Sequence, residues 1–379
     1  MKQSIVINAS GNSNWIGGLY YLKNIVFELS QNHTVTSHYR LILFTVRKNF
    51  NIFKSLRKEN VKIIVVHGGV LSKVEKVFLS FLYNARFSYY GTNSRLDNKL
   101  NIVTINWIPD FQHKHLSNLF NEYELKQRDK EFTRIANSSE PLILSSNDCL
   151  NDFRKFYSET KKNVYVIPFV SYIDDEIKGI NESFENSVLK KYNLEKNQYV
   201  YIPNQFWKHK NHIMVLKAVK EFFKHNDSKV KFIFTGKMFD QRNQDYIESL
   251  KEMFNYSCFQ GKVYNLGFID RKEQLVIMKD AKYLIQPSLF EGWGTVLEDA
   301  KVLDKTLLLS DIPVHREQKS NKCILFDPQN HLELEKLIEL ENKKNHFSDI
   351  DDGVKDMYIR AKIYSRGFEK LLNDCGGLK

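Results

Sequence analysis

The chain has 379 residues, more than one hydrophobic core usually serves, so two domains of ordinary size are expected. It is 42% hydrophobic with a mean hydropathy of −0.43, and no apolar run approaches the ~20 residues of a membrane-spanning helix, which excludes that class. A formal net charge of +11 favours anionic partners, whether phosphates, anionic lipid surfaces or nucleic acid.

The opening "MKQSIVINASG" passes from the first residue directly into a β-rich run, without the apolar core and cleavage site of a secretion signal, so a cytoplasmic protein is expected. Through the first half, "SIVIN", "RLILFTV", "VKIIVV", "NIVTINW", "PLILSS" and "NVYVIPF" alternate with polar or amphipathic stretches. That alternation predicts a parallel sheet covered by helices. Within it, "RKNFNIFKSLRKENVK" sets Arg47, Lys48, Lys54, Arg57, Lys58 and Lys62 against Glu59 alone, fitting either a solvated helix face or a docking surface. In "GVLSKVEKVFLSFLYNARF", Val70, Val74, Val77, Phe78, Phe81 and Leu82 share one helical stripe with Lys73 and Lys76 nearby. The stripe fits either an interfacial helix on an anionic membrane or a helix facing the core.

A polar stretch lacking period runs from about 171 to 196, and the β pattern then restarts with "YVYIPN", "KFIFTG", "KVYNLGFI", "KYLIQPS", "TLLLS" and "KCILF". The expected fold class is therefore α/β, with two Rossmann-like, doubly wound domains. The first covers residues 1–172; the second, with its linker, covers 173–354. The last stretch, about 355–379, has apolar residues at helical spacing and must cover a neighbour. Cys149, Cys258, Cys323 and Cys375 lie far apart without a C-x-x-C pair, so neither disulfides nor a zinc site are expected. Asp349-Ile350-Asp351 forms a D-x-D that lacks a preceding strand and is read as a helix cap or loop.

In open α/β sheets ligands lie beyond the carboxyl ends of the strands, where loops lead into helix N-termini. Two such corners stand out. In "KYLIQPSLFEGWGTVLEDAKVLD", Glu291, Gly292 and Gly294 lie in the loop and a helix starts around Thr295. Bare backbone and a helix start suit a diphosphate, and ionised carboxylates accept hydrogen bonds from sugar or ribose hydroxyls. In "YVYIPNQFWKHKNHIMVLKAV" a loop with Lys208, His209 and Lys210 precedes a helix near Asn211, and a lysine there can neutralise a phosphate. Each fragment alone also fits an ordinary capped helix or basic loop.

"PNQFWKHKNH", "LGFIDRKEQL" and "PSLFEGWGTVLEDAK" followed by "LLLSDIPVHREQ" together resemble the nucleotide-binding half of GT-B glycosyltransferases of family 4, retaining enzymes that use nucleotide sugars. "NWIGGLYYLKNIVFEL" resembles that family's first Gly-Gly loop and helix, and "INWIPDFQHKHL" its acceptor-side loop with the active-site histidine. The resemblance implies two domains facing across a cleft, with the last helix returning to the first. It further implies Glu291 on the donor sugar, Lys210 on the diphosphate, Glu298 on the ribose, and backbone donors at Gly294, Thr295 and Val296. Asn204, Gln205, Lys208, Gly236, Gly267, Phe268 and Gly292 complete the implied donor contacts, with Gly17 and Gly18 at the first helix. Asp110 and His113 are the implied acceptor-loop residues, with His115 as a rival.

Two departures from the family pattern stand out. Gln205 occupies a position where the family commonly has arginine, so a positive charge is missing or comes from Lys208. Six residues separate Glu291 from Glu298 where the family has seven, and one residue turns a helical side chain by about 100°, so Asp299 becomes a second candidate for the ribose.

The function so implied is retaining transfer of a sugar from a nucleotide diphosphate sugar to a glycan or lipid-linked acceptor in bacterial envelope polysaccharide synthesis. No cofactor or metal is expected. The remaining alternatives are a nucleotide-sugar epimerase on a similar scaffold and a non-catalytic basic module. Nucleic acid is not an expected partner, because the anion signals sit at strand ends and not in an interleaved basic and aromatic groove.

Overall fold

The computed structural model describes residues 2–10, 16–67, 71–89, 99–160 and 162–378. The chain forms two compact units, one of residues 1–111, 126–172 and 358–379, the other of 112–125 and 173–357. Helix Ile350–Asp374 is divided between them at Met357 and Tyr358.

The first unit holds seven strands, β1 (Gln3–Ala9), β2 (Tyr39–Thr45), β3 (Val61–Val65), β4 (Ala85–Tyr89), β5 (Val103–Ile108), β6 (Leu142–Leu144) and β7 (Val164–Val166). They pair in parallel in the order β3-β2-β1-β4-β5-β6-β7. The centre of the sheet is buried on both faces, which is why its strands read as continuous apolar runs and do not alternate. β4 is the one strand among these that the apolar runs do not announce. Asn84, with φ 50°, ends the preceding helix in a left-handed turn and so lets "ARFSY" start a strand at once.

Helix Leu71–Leu82 resolves the apolar stripe. Val74, Phe78, Phe81 and Leu82 are 69, 62, 68 and 52% exposed, whereas Lys76 and Ser80 are buried. The inward side carries Lys76, which donates to Ser10, and Ser80, which donates to the Lys76 carbonyl, beside half-buried Val77 and Leu79, the latter packed on the core. Val70 lies outside the described residues, as do the Lys73 side chain and the loops that follow β1 and β4.

The second unit holds β8 (Tyr199–Pro203), β9 (Lys231–Thr235), β10 (Val263–Asn265), β11 (Tyr283–Gln286), β12 (Leu307–Ser310) and β13 (Cys323–Phe326). All are parallel, in the order β10-β9-β8-β11-β12-β13. Helix His212–His225 buries Val215, Leu216, Val219 and Phe222 in the core and packs beside helix His331–Asn342. Both sheets are α/β and doubly wound, as the alternation of runs predicts.

Candidate functional site

In the second unit the chain moves from β8 outward to β9 and β10, then returns to β11 on the other side of β8 and continues to β12 and β13. This reversal is a topological switch point, and the crevice it leaves lies beyond the carboxyl ends of β8 and β11. Leu284 pairs with Tyr201, so the two strands end level, and Asn204 just past β8 donates to the Gln286 side chain at the end of β11 at 2.6 Å. The two loops that open from these ends are the two corners of the sequence.

Asn211 ties the corners together. It adopts a left-handed conformation (φ 58°, ψ 36°) where the β8 loop meets its helix, and its amide donates to the Pro287 carbonyl at 3.2 Å and the Pro328 carbonyl at 2.8 Å. The His209 carbonyl accepts from the Leu289 N–H at 2.8 Å. With the backbones so fixed, Lys210 meets Glu291 in an ion pair whose side chains are only 14 and 11% exposed. The same Glu291 oxygen accepts from the Ser288 hydroxyl at 2.7 Å and the Gln286 amide at 3.0 Å. Burial pushes the Glu291 carboxyl up, but the Lys210 ammonium outweighs it and holds the group below the ordinary value. It is an anion built into a polar cradle.

Three buried histidines surround the pair, and each is held neutral. Burial first and Lys210 second bring His209 and His212 down to about 3. Burial brings His315 to about 4 against the opposing pull of Glu291. His315 Nδ1 faces the Ser310 carbonyl at 2.9 Å, so that nitrogen carries the proton.

At the β11 corner, helix Thr295–Val302 starts at Gly294, which no side chain caps in the usual N-cap manner. The first-turn N–H groups of a helix lack intrahelical partners. That of Gly294 itself is taken by the Gln318 side chain at 2.9 Å, so the donor set available to a ligand begins at Thr295 and Val296. Glu298 is fully buried and accepts from Lys301 at 3.0 Å and Gln318 at 2.9 Å. Asp299 is committed elsewhere, in a two-pronged ion pair with Arg271 at 2.8 Å on both arms.

The remaining predicted positions divide by role. Gly236 has φ 139°, and a Cβ there would sit 2.1 Å from the Asn204 carbonyl oxygen, so the glycine is demanded by the protein's own backbone. Gly267 (φ 70°) presents Phe268, 55% exposed, with the Lys237 ammonium 5.4 Å from its ring. Gln205 accepts from the Lys237 N–H at 3.0 Å, and the side chain of Lys208 is exposed. Gly292 lies half-buried in the β11 loop. His113 is buried in helix Gln112–His115 within the second unit, while the exposed His115 sets its ring 5.2 Å from that of Phe290, the neighbour of Glu291. Asp110 belongs to the first unit and faces Arg128 at 3.7 Å. Gly17 and Gly18 begin helix Ile16–Gln31, and a Cβ on Gly17 would meet nothing within 4 Å.

Asn211, Gln286, Ser288, His315 and Gln318 are the site residues that sequence reasoning missed. Gln286 and Ser288 are legible in retrospect as polar residues ending an apolar strand. Nothing local marks Gln318, whose partners lie 20 and 24 positions away. Asp349 of the D-x-D accepts from the Asp352 N–H at 3.2 Å as a helix cap. Among the described residues no cluster of three or more His, Cys, Asp or Glu side chains is placed to hold a metal ion, and no helix is long and apolar enough to cross a membrane.

Parallel α/β units of this strand order, with a lysine and a carboxylate meeting from the two loops of the switch point, have the architecture of the GT-B fold. Residues 184–350, a segment containing both corners, match the family model of glycosyl transferases group 1. The O-antigen chain mannosyltransferase RfbU of Salmonella typhimurium is 28% identical over 134 residues, 35% of this chain and 35% of that one, so the match spans about a third of the relative's length. Among solved structures, a glycosyltransferase from Rickettsia africae superposes with a TM-score of 0.71 at 15% identity, over 98% of each chain. Anabaena HepE in complex with UDP superposes at 0.64 and 13% identity, over 98% of this chain and 95% of that one. At such identities the likeness is one of fold.

Proposed function

We propose that the protein is a retaining glycosyltransferase that moves a sugar from a nucleotide diphosphate sugar to a glycan or lipid-linked acceptor in bacterial envelope polysaccharide assembly. The chief support is the meeting of Lys210 and Glu291 from the two loops of one switch point, which sets a cation for a diphosphate beside an ionised acceptor for sugar hydroxyls. The O-antigen transferase relative and the UDP-bound neighbour point the same way.

In this proposal the diphosphate lies against the Thr295 and Val296 N–H groups and the Lys210 ammonium. Glu291, already ionised and oriented by Ser288 and Gln286, accepts from the donor sugar. Glu298 is the candidate for the ribose, since Asp299 is held by Arg271. The bond between the anomeric carbon and the leaving phosphate oxygen breaks as the acceptor oxygen attacks from the same face. The acceptor proton passes to that phosphate oxygen, so no enzyme carboxylate acts as nucleophile. Stabilising the negative charge that grows on the diphosphate is the protein's main contribution, worth several kcal/mol in a desolvated site. Asp110 and His113 are proposed to serve the acceptor. The charge of the diphosphate is met by Lys210 and the helix start, so the proposal calls for no metal.

We place the protein on the cytoplasmic side of an anionic membrane. Val74, Phe78, Phe81 and Leu82 form an exposed apolar face on one helix, and Lys62 lies over the ring of Tyr83 just past its end.

Incubation with a panel of UDP- and GDP-sugars, with and without lipid-linked acceptors, and mass spectrometry of the products tests the function. A transferase yields the nucleoside diphosphate and a product enlarged by one sugar. Interconversion of intact nucleotide sugars without an acceptor would instead mark an epimerase.

A further inference from the structure

Helix Pro313–Gln318 follows β12 and turns two buried side chains, His315 and Gln318, to one face, as residues three apart on a helix must. His315 is bound to Ser310, whose hydroxyl in turn donates to the Ser288 carbonyl at 2.6 Å. Gln318 does more. Its amide oxygen accepts from the Gly294 N–H at 2.9 Å, and its amide nitrogen donates to the Gly294 carbonyl at 2.8 Å and to Glu298 Oε1 at 2.9 Å. The Gly294 carbonyl also accepts the Glu298 N–H at 3.2 Å, so one side chain grips the loop end, the helix start and the carboxylate on its first turn.

We propose that Gln318 is the positioning residue of the donor corner, fixing both the direction of the Thr295 and Val296 N–H groups and the setting of the Glu298 carboxylate. This rests on the nucleotide-sugar function proposed above. The physical grounds are the amide's geometry. A planar amide that both donates to and accepts from one residue fixes that residue's backbone orientation, and Gly294 is the residue from which the helix departs. Its remaining N–H goes to Glu298 Oε1, which also accepts from Lys301, so the two donors together hold that side chain in one rotamer. Gln318 is 1% exposed and spends its amide on Gly294 and Glu298, so it acts through those two residues. Leucine or methionine fills the same volume and makes none of these three bonds. Glutamate keeps the acceptor for the Gly294 N–H, loses both donations and sets a like charge against Glu298.

The test is calorimetric titration of the full chain with UDP and GDP and with their 2′,3′-dideoxy counterparts, for the unsubstituted protein, Gln318→Met, Gln318→Glu and Glu298→Gln, with melting temperatures recorded for each. Gln318→Met is expected to bind the nucleoside diphosphate about tenfold more weakly, and to lose much of the preference for ribose over dideoxyribose. Added to Glu298→Gln, it should leave the ribose preference where Glu298→Gln alone puts it. Unchanged affinity and preference in a folded Gln318→Met protein overturns the proposal. Equal weakening for both sugars, with the preference kept, also overturns it by marking Gln318 as merely structural. Should Gln318→Met not fold, Gln318→Glu carries the same comparison. If the unsubstituted protein binds no nucleoside diphosphate, the functional assignment falls, and the corner that Gln318 positions falls with it.

Discussion

Replacing Lys210 by methionine leaves the Glu291 carboxylate with only its Ser288 and Gln286 donors in a largely buried place. Removing one member of a buried ion pair usually costs about 3–5 kcal/mol. Here the loss has a ceiling, because the carboxyl can escape by taking up a proton. For a group with an ordinary value of 4.5, protonation at pH 7 costs about 3.4 kcal/mol, at ~1.36 kcal/mol per unit. Without Lys210 the folded-state value of Glu291 rises above the unfolded one, so its contribution is intact at low pH and is lost as pH rises. The expected destabilisation is therefore about 3 kcal/mol at pH 7 and under about 1 kcal/mol at pH 5. Glu291→Gln combined with Lys210→Met removes the stranded charge and should recover most of the loss. Urea unfolding followed by the fluorescence of Trp207 and Trp293, which flank the two corners, measures all of these. Equal losses at both pH values, or strict additivity of the two substitutions, would refute the coupling between these side chains.

Gly236→Ala should cost more than about 3 kcal/mol, measured by the same unfolding assay, because its Cβ would overlap the Asn204 carbonyl and its φ of 139° is closed to alanine. His212 is held neutral at about 3 by burial, below its unfolded value, so the folded protein loses stability as pH falls from ~6.5, at up to ~1.4 kcal/mol per unit. His212→Phe, which can still stack on Phe206, should make that acid limb less steep in melting curves taken from pH 7 to 5, with His209 and His315 keeping their share; an unchanged slope would show that His212 titrates normally. Vesicles rich in anionic lipid should sediment the protein at low salt, and serine at Val74, Phe78 and Phe81 together should weaken this at least about tenfold. No sedimentation of the unsubstituted protein removes the membrane proposal.

The parallel sheets were legible because buried parallel strands are apolar throughout, so "YVYIP" and "TLLLS" announce themselves. β4 was not, since Arg86 and Ser88 dilute its apolar content and its only break from the preceding helix is Asn84. Lys210 and Glu291 could be picked out because the crevice of such a sheet lies at strand ends, and each stands directly after a strand-like run. The choice between Glu298 and Asp299 was not available from spacing. It depends on where Arg271 lies, a partner 28 positions distant from Asp299. Gln318 is silent for the same reason, since a buried amide is recognised by what it touches. The stripe of helix Leu71–Leu82 shows a further limit. Periodicity shows that apolar residues share a face, but burial by the rest of the fold decides whether that face is covered.

Calorimetric titration of UDP, GDP and ADP into the unsubstituted protein and into folded Lys210→Met bears on the donor corner itself. One of these nucleotides should bind the unsubstituted protein, and bind Lys210→Met at least about tenfold more weakly through loss of a charge-assisted contact. Binding of equal strength to both proteins, or to neither, would contradict the placement of a nucleoside diphosphate against Lys210 and the helix start at Thr295.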